Sequence, residues 1–408
     1  MNNDHDYDVL IVGGGMVGAS MACALANQPL TVGIIEAIPF RSDNQPSYDA
    51  RSIALAYGSR QIFQRLGLWQ AISSHSTAIK KIHVSDRGNF GTTRLDCSTE
   101  QVPALGYVVE NRVIGQALKQ AIDQYDNLHL ICPATLQDID ISNDHAKLSI
   151  SHNGHQQELT AKLIIAADGG RSIAREKAGI SVHQSDYQQT AIISTVTPNQ
   201  AHHNIAYERF TEQGPIALLP MSDNRCSLVL TCHHENSQAI CSLNDADFLA
   251  HLQQRFGYRL GQFIRTGKRV SYPLILTQAN QHYRHRLALI GNAAHTLHPI
   301  AGQGFNLGIR DVATLAQIII QAQQAGQDIG QTTVLHKYAQ WRKRDQRQVT
   351  TFTDGLARFF SNRFPPFMVA RSLGLITINN LPPLKHKLTT YAMGMGGNLP
   401  KFTPGVPL

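Results

Sequence analysis

Residues 9–35 run for 27 positions without a charge, and glycines at 13, 14, 15 and 18 divide that run near its start. Few folds accept this combination. The stretch is long enough to span a bilayer, and Gly14 to Gly18 spells the small-xxx-small pattern of paired membrane helices. Yet three consecutive glycines, then Asn27, Gln28 and Pro29, cut it at intervals that suit strand, loop, helix and turn. Residues 7–12 (YDVLIV) read as a buried strand, 16–26 as a small-residue helix, and 30–35 as a second strand ending at Glu36.

Each piece has a mechanical role in a dinucleotide site. In the GxGxxG of Gly13, Gly15 and Gly18, the first glycine permits a tight turn and the second lets backbone approach a pyrophosphate. Gly18 lets helix and strand pack closely, and the helix N-terminus at Met16 and Val17 directs free N–H groups at phosphate. Glu36, 18 residues beyond Gly18, is placed to accept hydrogen bonds from an unphosphorylated ribose. This motif alone does not separate FAD from NAD.

Composition excludes several other classes. At 408 residues and 42% hydrophobic, the chain can bury a large core without staples. Six scattered cysteines with no CxxC pair speak against a disulfide framework and a structural zinc, and for a reducing, cytoplasmic setting. The acidic start, MNNDHDYD, does not read as a secretory signal. The net charge of +7 sits in the tail: residues 355–408 hold six Lys/Arg and no acid, leaving 30 basic and 29 acidic residues before them. A neutral body argues against a nucleic-acid partner.

Two later segments repeat the strand-then-glycine pattern. Residues 163–168 (LIIAAD) lead into Gly169, Gly170, Arg171, Ser172 and Arg175. Residues 287–290 lead into GNAAHTLHPIAGQGFNLGIRD, residues 291–311, followed by a long helix. There Gly302 and Gly304 open a turn at a helix start, a setting for anions or a polarised ring.

With these three segments in order, the chain resembles the FAD-dependent aromatic hydroxylases of the para-hydroxybenzoate hydroxylase class. The family's second motif is matched by Asp168, Gly169, Ser172 and Arg175. Its third is matched by Gly291, Ala293, Ala294, His295, Pro299, Gly302, Gly304, Asn306 and Asp311. Asn292 departs from the pattern, standing where the wider family has Asp; its amide oxygen can still accept a ribityl hydrogen bond. Phrases such as YDARSIALAYGSRQIFQRLGLW (48–69) and ERFTEQGPIALLPMSD (208–223) resemble the ubiquinone-biosynthesis branch, over about residues 7–375.

The resemblance implies an α/β fold. A Rossmann-like FAD-binding domain (1–76, 106–180, 276–345), with helices on both faces of its sheet, would carry an inserted, mostly antiparallel substrate domain (77–105, 181–275). Residues 346–408 would form a C-terminal helical region and tail. FAD would be held by Gly13, Gly15, Met16, Val17, Gly18, Glu36, Arg51, Arg112, Asp168, Gly169, Asn292, Pro299, Gly302, Gly304, Phe305 and Asn306. His298 and Pro299 are candidates to face the flavin. Leu218, Leu219, Pro220 and Met221 are candidates for the substrate pocket. The His295–His298 pair lacks further ligands at usual spacing, so no metal is expected; His295 is expected to bond within the flavin loop.

The implied reaction is hydroxylation of the ring of a polyprenyl methoxyphenol through a flavin hydroperoxide, with O2 as co-substrate and NAD(P)H as electron donor. The alternatives are a sister hydroxylase acting at another ring position and a flavin-dependent prenyl reductase. Residues 352–371 (FTDGLARFFSNRFPPFMVAR) mix aromatics with Arg358, Arg363 and Arg371. Residues 352–360 are read as packing on the main body, and the later part, with Lys385 and Lys387, as meeting the inner membrane surface or a lipid-handling partner such as a carrier or another ubiquinone-biosynthesis protein. The oligomeric state is not legible.

Overall fold

The computed structural model describes residues 5–39, 51–297, 302–361 and 365–396, without the side chains of 357–361 and 365–368. The first half of the chain gives β1 (Tyr7–Val12), α1 (Met16–Ala24), β2 (Val32–Ile35), β3 (Ser52–Ala56), α2 (Tyr57–Arg65) and α3 (Trp69–Ser73). Next come β4 (Ser76–Ile79), β5 (Lys81–Asp86), β6 (Thr92–Asp96), β7 (Gly106–Glu110), α4 (Asn111–Ile122) and β8 (Leu128–Ile131). A meander of β9 (Ala134–Ile141), β10 (Ala146–His152) and β11 (His155–Ala166) leads to the short α5 (Ile173–Lys177).

The second half gives β12 (Val182–Pro198), β13 (Ile205–Phe210), β14 (Ile216–Pro220), β15 (Cys226–His233), α6 (Ser237–Ser242) and α7 (Asp245–Phe256). Then follow β16 (Phe263–Thr266), β17 (Val270–Ala279), β18 (Tyr283–Arg284), β19 (Leu287–Leu289) and β20 (His295–Thr296). The chain closes with α8 (Gln303–Gln324), α9 (Thr332–Ser361), α10 (Pro365–Asn380) and α11 (Pro382–Ala392).

The nucleotide sheet has the order β18-β19-β11-β1-β2-β8, and its strands from β19 to β8 run parallel. Val9 and Ile11 point to one face, where they meet helices α1, α4 and α8 in the largest core. Leu10 and Val12 point to the other, as alternation along a strand requires. That second face corrects the expectation of helices on both sides. It is covered by Leu136, Leu148 and Ile150 of the β9–β10 meander, with only Ala174 of α5 added. Residues 134–152 alternate apolar and polar, so they bury one face of a ribbon rather than a helix stripe.

The second large sheet has the order β20-β17-β12-β15-β14-β13-β5-β6, antiparallel except for the β13–β5 pair. Strands from 81–96 and 182–279 build it, so it runs past residue 275 and takes in β20 as well. One of its faces packs under α7 through Leu218, Leu228, Leu230, Phe248, Leu252 and Phe256. A three-stranded sheet, β3-β7-β4, lies apart from both in its hydrogen bonding. Residue 346 falls inside α9, so the C-terminal helices begin earlier than expected, at Thr332. No helix among the described residues is long and apolar enough to cross a membrane.

Candidate active site

Three loops converge because three strands end side by side. Val12 is in register with Ala166, and Ala166 with Leu289, so the chain leaves β1, β11 and β19 at one edge of the sheet. β1 sits between β2 on one side and β11 on the other, so strand order reverses there. The crevice outside the carboxyl ends of parallel strands at such a switch point is where ligands of open α/β sheets bind. Positions 13, 168 and 291, far apart in sequence, are thus brought to one edge of the sheet.

The glycine turn is packed too closely for side chains. Gly13 has φ +100°, and a Cβ on it would lie 2.7 Å from the Ala167 carbonyl oxygen. A Cβ on Gly18 would lie 1.9 Å from the Gly13 carbonyl oxygen. Gly15 is the N-cap of α1 and offers no side-chain cap, which leaves the first helical N–H groups to a ligand. Val17 packs toward Gly291 and Gly308, where an added Cβ would come within 3.0 and 3.3 Å of it. Met16 is half-buried against the same core.

Glu36 is buried and holds the turn from below. Its Oε2 accepts from Gly14 N–H at 2.7 Å and Oε1 from Ile38 N–H at 2.8 Å. Each carboxylate oxygen keeps a lone pair for a ribose hydroxyl. Asp168 accepts from Ala174 N–H through Oδ2 at 3.0 Å, while its Oδ1 is buried without a partner. Gly169 has φ +87° and open space where a Cβ would project. A buried acceptor without a donor, beside a glycine facing open space, is what a bound polyol or phosphate group would complete.

The third loop is fixed from behind. Asp311 is fully buried: Oδ2 takes His295 Nε2 at 2.7 Å and Gly291 N–H at 3.1 Å, and Oδ1 takes Arg342 Nε at 2.7 Å and Gln346 Nε2 at 3.0 Å. Burial would raise this carboxyl, but the Arg342 charge and the His295 bond hold it well below the usual carboxylate range. His295 therefore orients the loop through α8, rather than bonding only within it. Arg175 adds a second tie, from Nη1 to the Ala293 carbonyl at 2.9 Å and from Nη2 to the Gly170 carbonyl at 3.0 Å. The resemblance pointed to Arg175 but did not reveal that it stitches two motifs together.

Asn292 is exposed into a cavity of about 650 Å³ that Gly302, Gly304, Phe305 and Asn306 also line. Gly302 takes the left-handed conformation at the start of α8. The Asn306 amide is spent on backbone: it accepts from Ala56 N–H at 2.8 Å and donates to the Ala54 and Gly302 carbonyls at 2.8 and 2.7 Å. Its side chain thus holds β3 to the α8 start at the edge of the cavity that Asn306 helps line. His298 and Pro299 lie outside the described residues.

Two of the expected arginines make side-chain contacts with residues outside the three motif loops. Arg51 donates from Nη1 to Tyr272 Oη at 2.9 Å, with its guanidinium over that ring, linking the start of β3 to β17. Arg112 is half exposed and pairs through Nε with Glu110 at 2.5 Å. Among the described residues no bond joins it to the three motif loops.

The cavity's opposite wall is the open face of the antiparallel sheet. Ala217, Leu219, Val229 and Ile193 line it. Of the four expected pocket residues only Leu219 does. Leu218 points the other way, into the α7 core, because neighbouring strand residues face opposite sides. Met221 packs with Ile79, Val108 and Ala206, and Pro220 lines no part of the cavity. Ala217 was missed; the alternation around it is legible, but which phase faces a ligand is not. The roof comes from the C-terminal helices through Phe352, Leu356, Gly374, Leu375, Ile378 and Tyr391. A more open cleft of about 1030 Å³, lined by Lys177, His282, His336 and Lys343, contains none of the motif residues.

Together, a switch-point sheet, three convergent glycine loops and an apolar cavity against a second sheet define a flavin-dinucleotide enzyme of the aromatic-hydroxylase fold. The chain belongs to the FAD binding domain family, whose model matches residues 6–353. It is 38% identical over 408 residues to the ubiquinone hydroxylase UbiL of Rhodospirillum rubrum, covering 99% of this chain and 94% of that one. It is 33% identical over 391 residues to the 3-demethoxyubiquinol 3-hydroxylase of Escherichia coli K12, covering 95% and 98%. Among solved structures, the p-nitrophenol 4-monooxygenase PnpA of Pseudomonas putida DLL-E4 superposes with a TM-score of 0.80 at 18% identity, covering 96% and 98%. The expectation of an FAD-binding hydroxylase fold stands on these likenesses.

Proposed function

We propose that this protein is an FAD-dependent monooxygenase that hydroxylates the ring of a polyprenyl methoxyphenol in ubiquinone biosynthesis, using O2 and electrons from NAD(P)H. The observation that carries this reading is the shared cavity. Asn292, Gly302, Gly304 and Phe305 of the motif loops form one wall, and the apolar sheet face forms the other. A ring between them is held beside the flavin loops and screened from water by aliphatic side chains. About 650 Å³ admits a substituted phenol and the first part of a prenyl chain.

FAD supplies the electron transfer and oxygen activation that side chains lack. The protein's own residues bind and aim. Gly13–Gly18 and Glu36 would hold the dinucleotide, Asp168 would accept from it, and the Asp311–His295–Arg342 network would keep the third loop in place. Relatives named for ubiquinone hydroxylation support the pathway. The relative named for 3-hydroxylation of demethoxyubiquinol favours one second reading, a sister enzyme acting at another ring position.

A lipid-facing entrance accords with this substrate. Val369 and Leu373 of α10, with Leu381 and Leu384 beside and on α11, are 55%, 54%, 47% and 44% exposed. The other faces of the same helices roof the cavity. We propose that this apolar face, with Lys385 and Lys387, docks on an anionic membrane surface and passes the prenyl phenol to the cavity. The test of the main reading is mass spectrometry of quinone intermediates in cells lacking the protein. A prenyl methoxyphenol should accumulate; accumulation of a later intermediate would move the assignment to the sister position.

A further inference from the structure

The cavity wall carries one carboxyl where nothing in the fold calls for it. Glu208 lies at the middle of β13, in register with Val84 of β5 and with Ala217 of β14. Ala217 is in register with Val229, and Val229 with Ile193. Val84, Glu208, Ala217, Val229 and Ile193 therefore form one row across the sheet, and all five line the cavity. Four are aliphatic. Among the described residues the Glu208 carboxylate has no hydrogen-bond or ion-pair partner, a costly state for a group placed against apolar surface.

We propose that Glu208 is a catalytic residue that receives the phenolic proton of the substrate. This inference rests on the ring-hydroxylase reading above. The substrate's O–H bond breaks, an O–H bond forms on a Glu208 oxygen, and the electron pair stays on the ring oxygen. The resulting phenolate is a richer nucleophile at its ring carbons, and the transfer itself consumes no oxidant.

The other titratable groups on the wall are unsuited to this. Burial raises the Tyr207 and Tyr391 hydroxyls, which leaves them neutral. Arg371 is engaged with Asp86 at 3.0 Å and has no lone pair to offer. Burial also moves the Glu208 carboxyl up to about 7. That narrows its gap to a phenol near 10 and suits a base working at neutral pH. A carboxyl kept for structure would have partners; among the described residues this one faces only the cavity.

The test uses FAD-loaded holoprotein with 2-prenyl-6-methoxyphenol as the probe. In the wild type, single-turnover hydroxylation of the probe should rise with pH as the Glu208 carboxyl loses its proton, and Glu208→Gln should abolish that rise while retaining equal flavin. Hydroxylated product should fall roughly 100-fold or more in Glu208→Gln, with electron-donor consumption diverted to hydrogen peroxide. Glu208→Leu should melt no lower than wild type. The same rise with pH, or wild-type product formation, surviving in Glu208→Gln would overturn the assignment, as would a lowered melting temperature in Glu208→Leu. Wild-type protein that binds flavin but hydroxylates no prenyl phenol would instead remove the parent reading.

Discussion

Arg175 donates to the carbonyl oxygen of Ala293 at 2.9 Å across 118 residues of sequence. The same guanidinium reaches Gly170. The second and third glycine loops are therefore one mechanical unit, and the ligand that spans them meets a site already assembled.

Replacing Arg175 with Met should loosen both loops. Losing a charged donor to buried carbonyls costs about 2 to 3 kcal/mol. Urea unfolding of the flavin-free protein should show that loss, and FAD should dissociate more readily. An Arg175→Met protein with unchanged unfolding and flavin retention would show that the tie is ornamental.

Two glycines separate packing from ligand space. Gly18→Ala places a Cβ 1.9 Å from the Gly13 carbonyl, so the variant should fail to fold its first turn and emerge colourless. Gly169→Ala meets nothing within 4 Å, and its positive φ costs about 1 to 2 kcal/mol. Flavin affinity in Gly169→Ala should fall by more than stability does if the open space belongs to the cofactor. Parallel losses would assign Gly169 to backbone conformation alone.

Asp311→Asn should be severe. Breaking a buried, hydrogen-bonded pair with Arg342 costs about 3 to 5 kcal/mol. Because the native carboxyl is held ionised below its unfolded value near 4, the stabilisation is present above that pH and declines as pH falls through and below it. The gap between Asp311→Asn and wild type should be constant from pH 8 to about 5 and narrow near 4 and below. A gap that grows with acid would reverse the sign of this linkage.

The lipid-docking face should show in flotation with anionic vesicles. Leu373→Ser with Leu384→Ser, or neutral replacements of Lys385 and Lys387, should each lower the floated fraction, and added salt should mimic the latter. Equal flotation of all forms would rule out this face. Arg371, expected to meet such a surface, does not belong in the test. It is buried with Asp86, a partner 285 residues away.

That pair shows what kind of information the chain conceals. The three glycine loops are legible because their constraints are local: a positive φ at Gly13, a close approach at Gly18 and an acid at the end of the next strand. The nucleotide half of the fold follows from them. The meander at 134–166 was not foreseen, since its alternation states that one face is buried but not against what. Leu218 and Leu219 carry the same difficulty into the pocket, where adjacent identical residues divide between core and cavity. At the start of the C-terminal aromatic cluster, residues 352–360 read as packing on the body, and Phe352 does so, tilted against the Tyr391 ring with centroids 4.4 Å apart and helping to roof the cavity. Of that segment, Arg358, Arg363 and Phe359 to Met368 lie outside the described side chains.

The central claim is that this site inserts oxygen into a ring. Purified FAD holoprotein should be supplied with NAD(P)H, 2-prenyl-6-methoxyphenol and isotopically heavy dioxygen, and the product mass measured. One heavy oxygen atom in a hydroxylated ring is the predicted result. Product lacking the label, or anaerobic reoxidation of the flavin by a prenyl acceptor with no ring oxygen gained, would contradict it and favour a prenyl reductase.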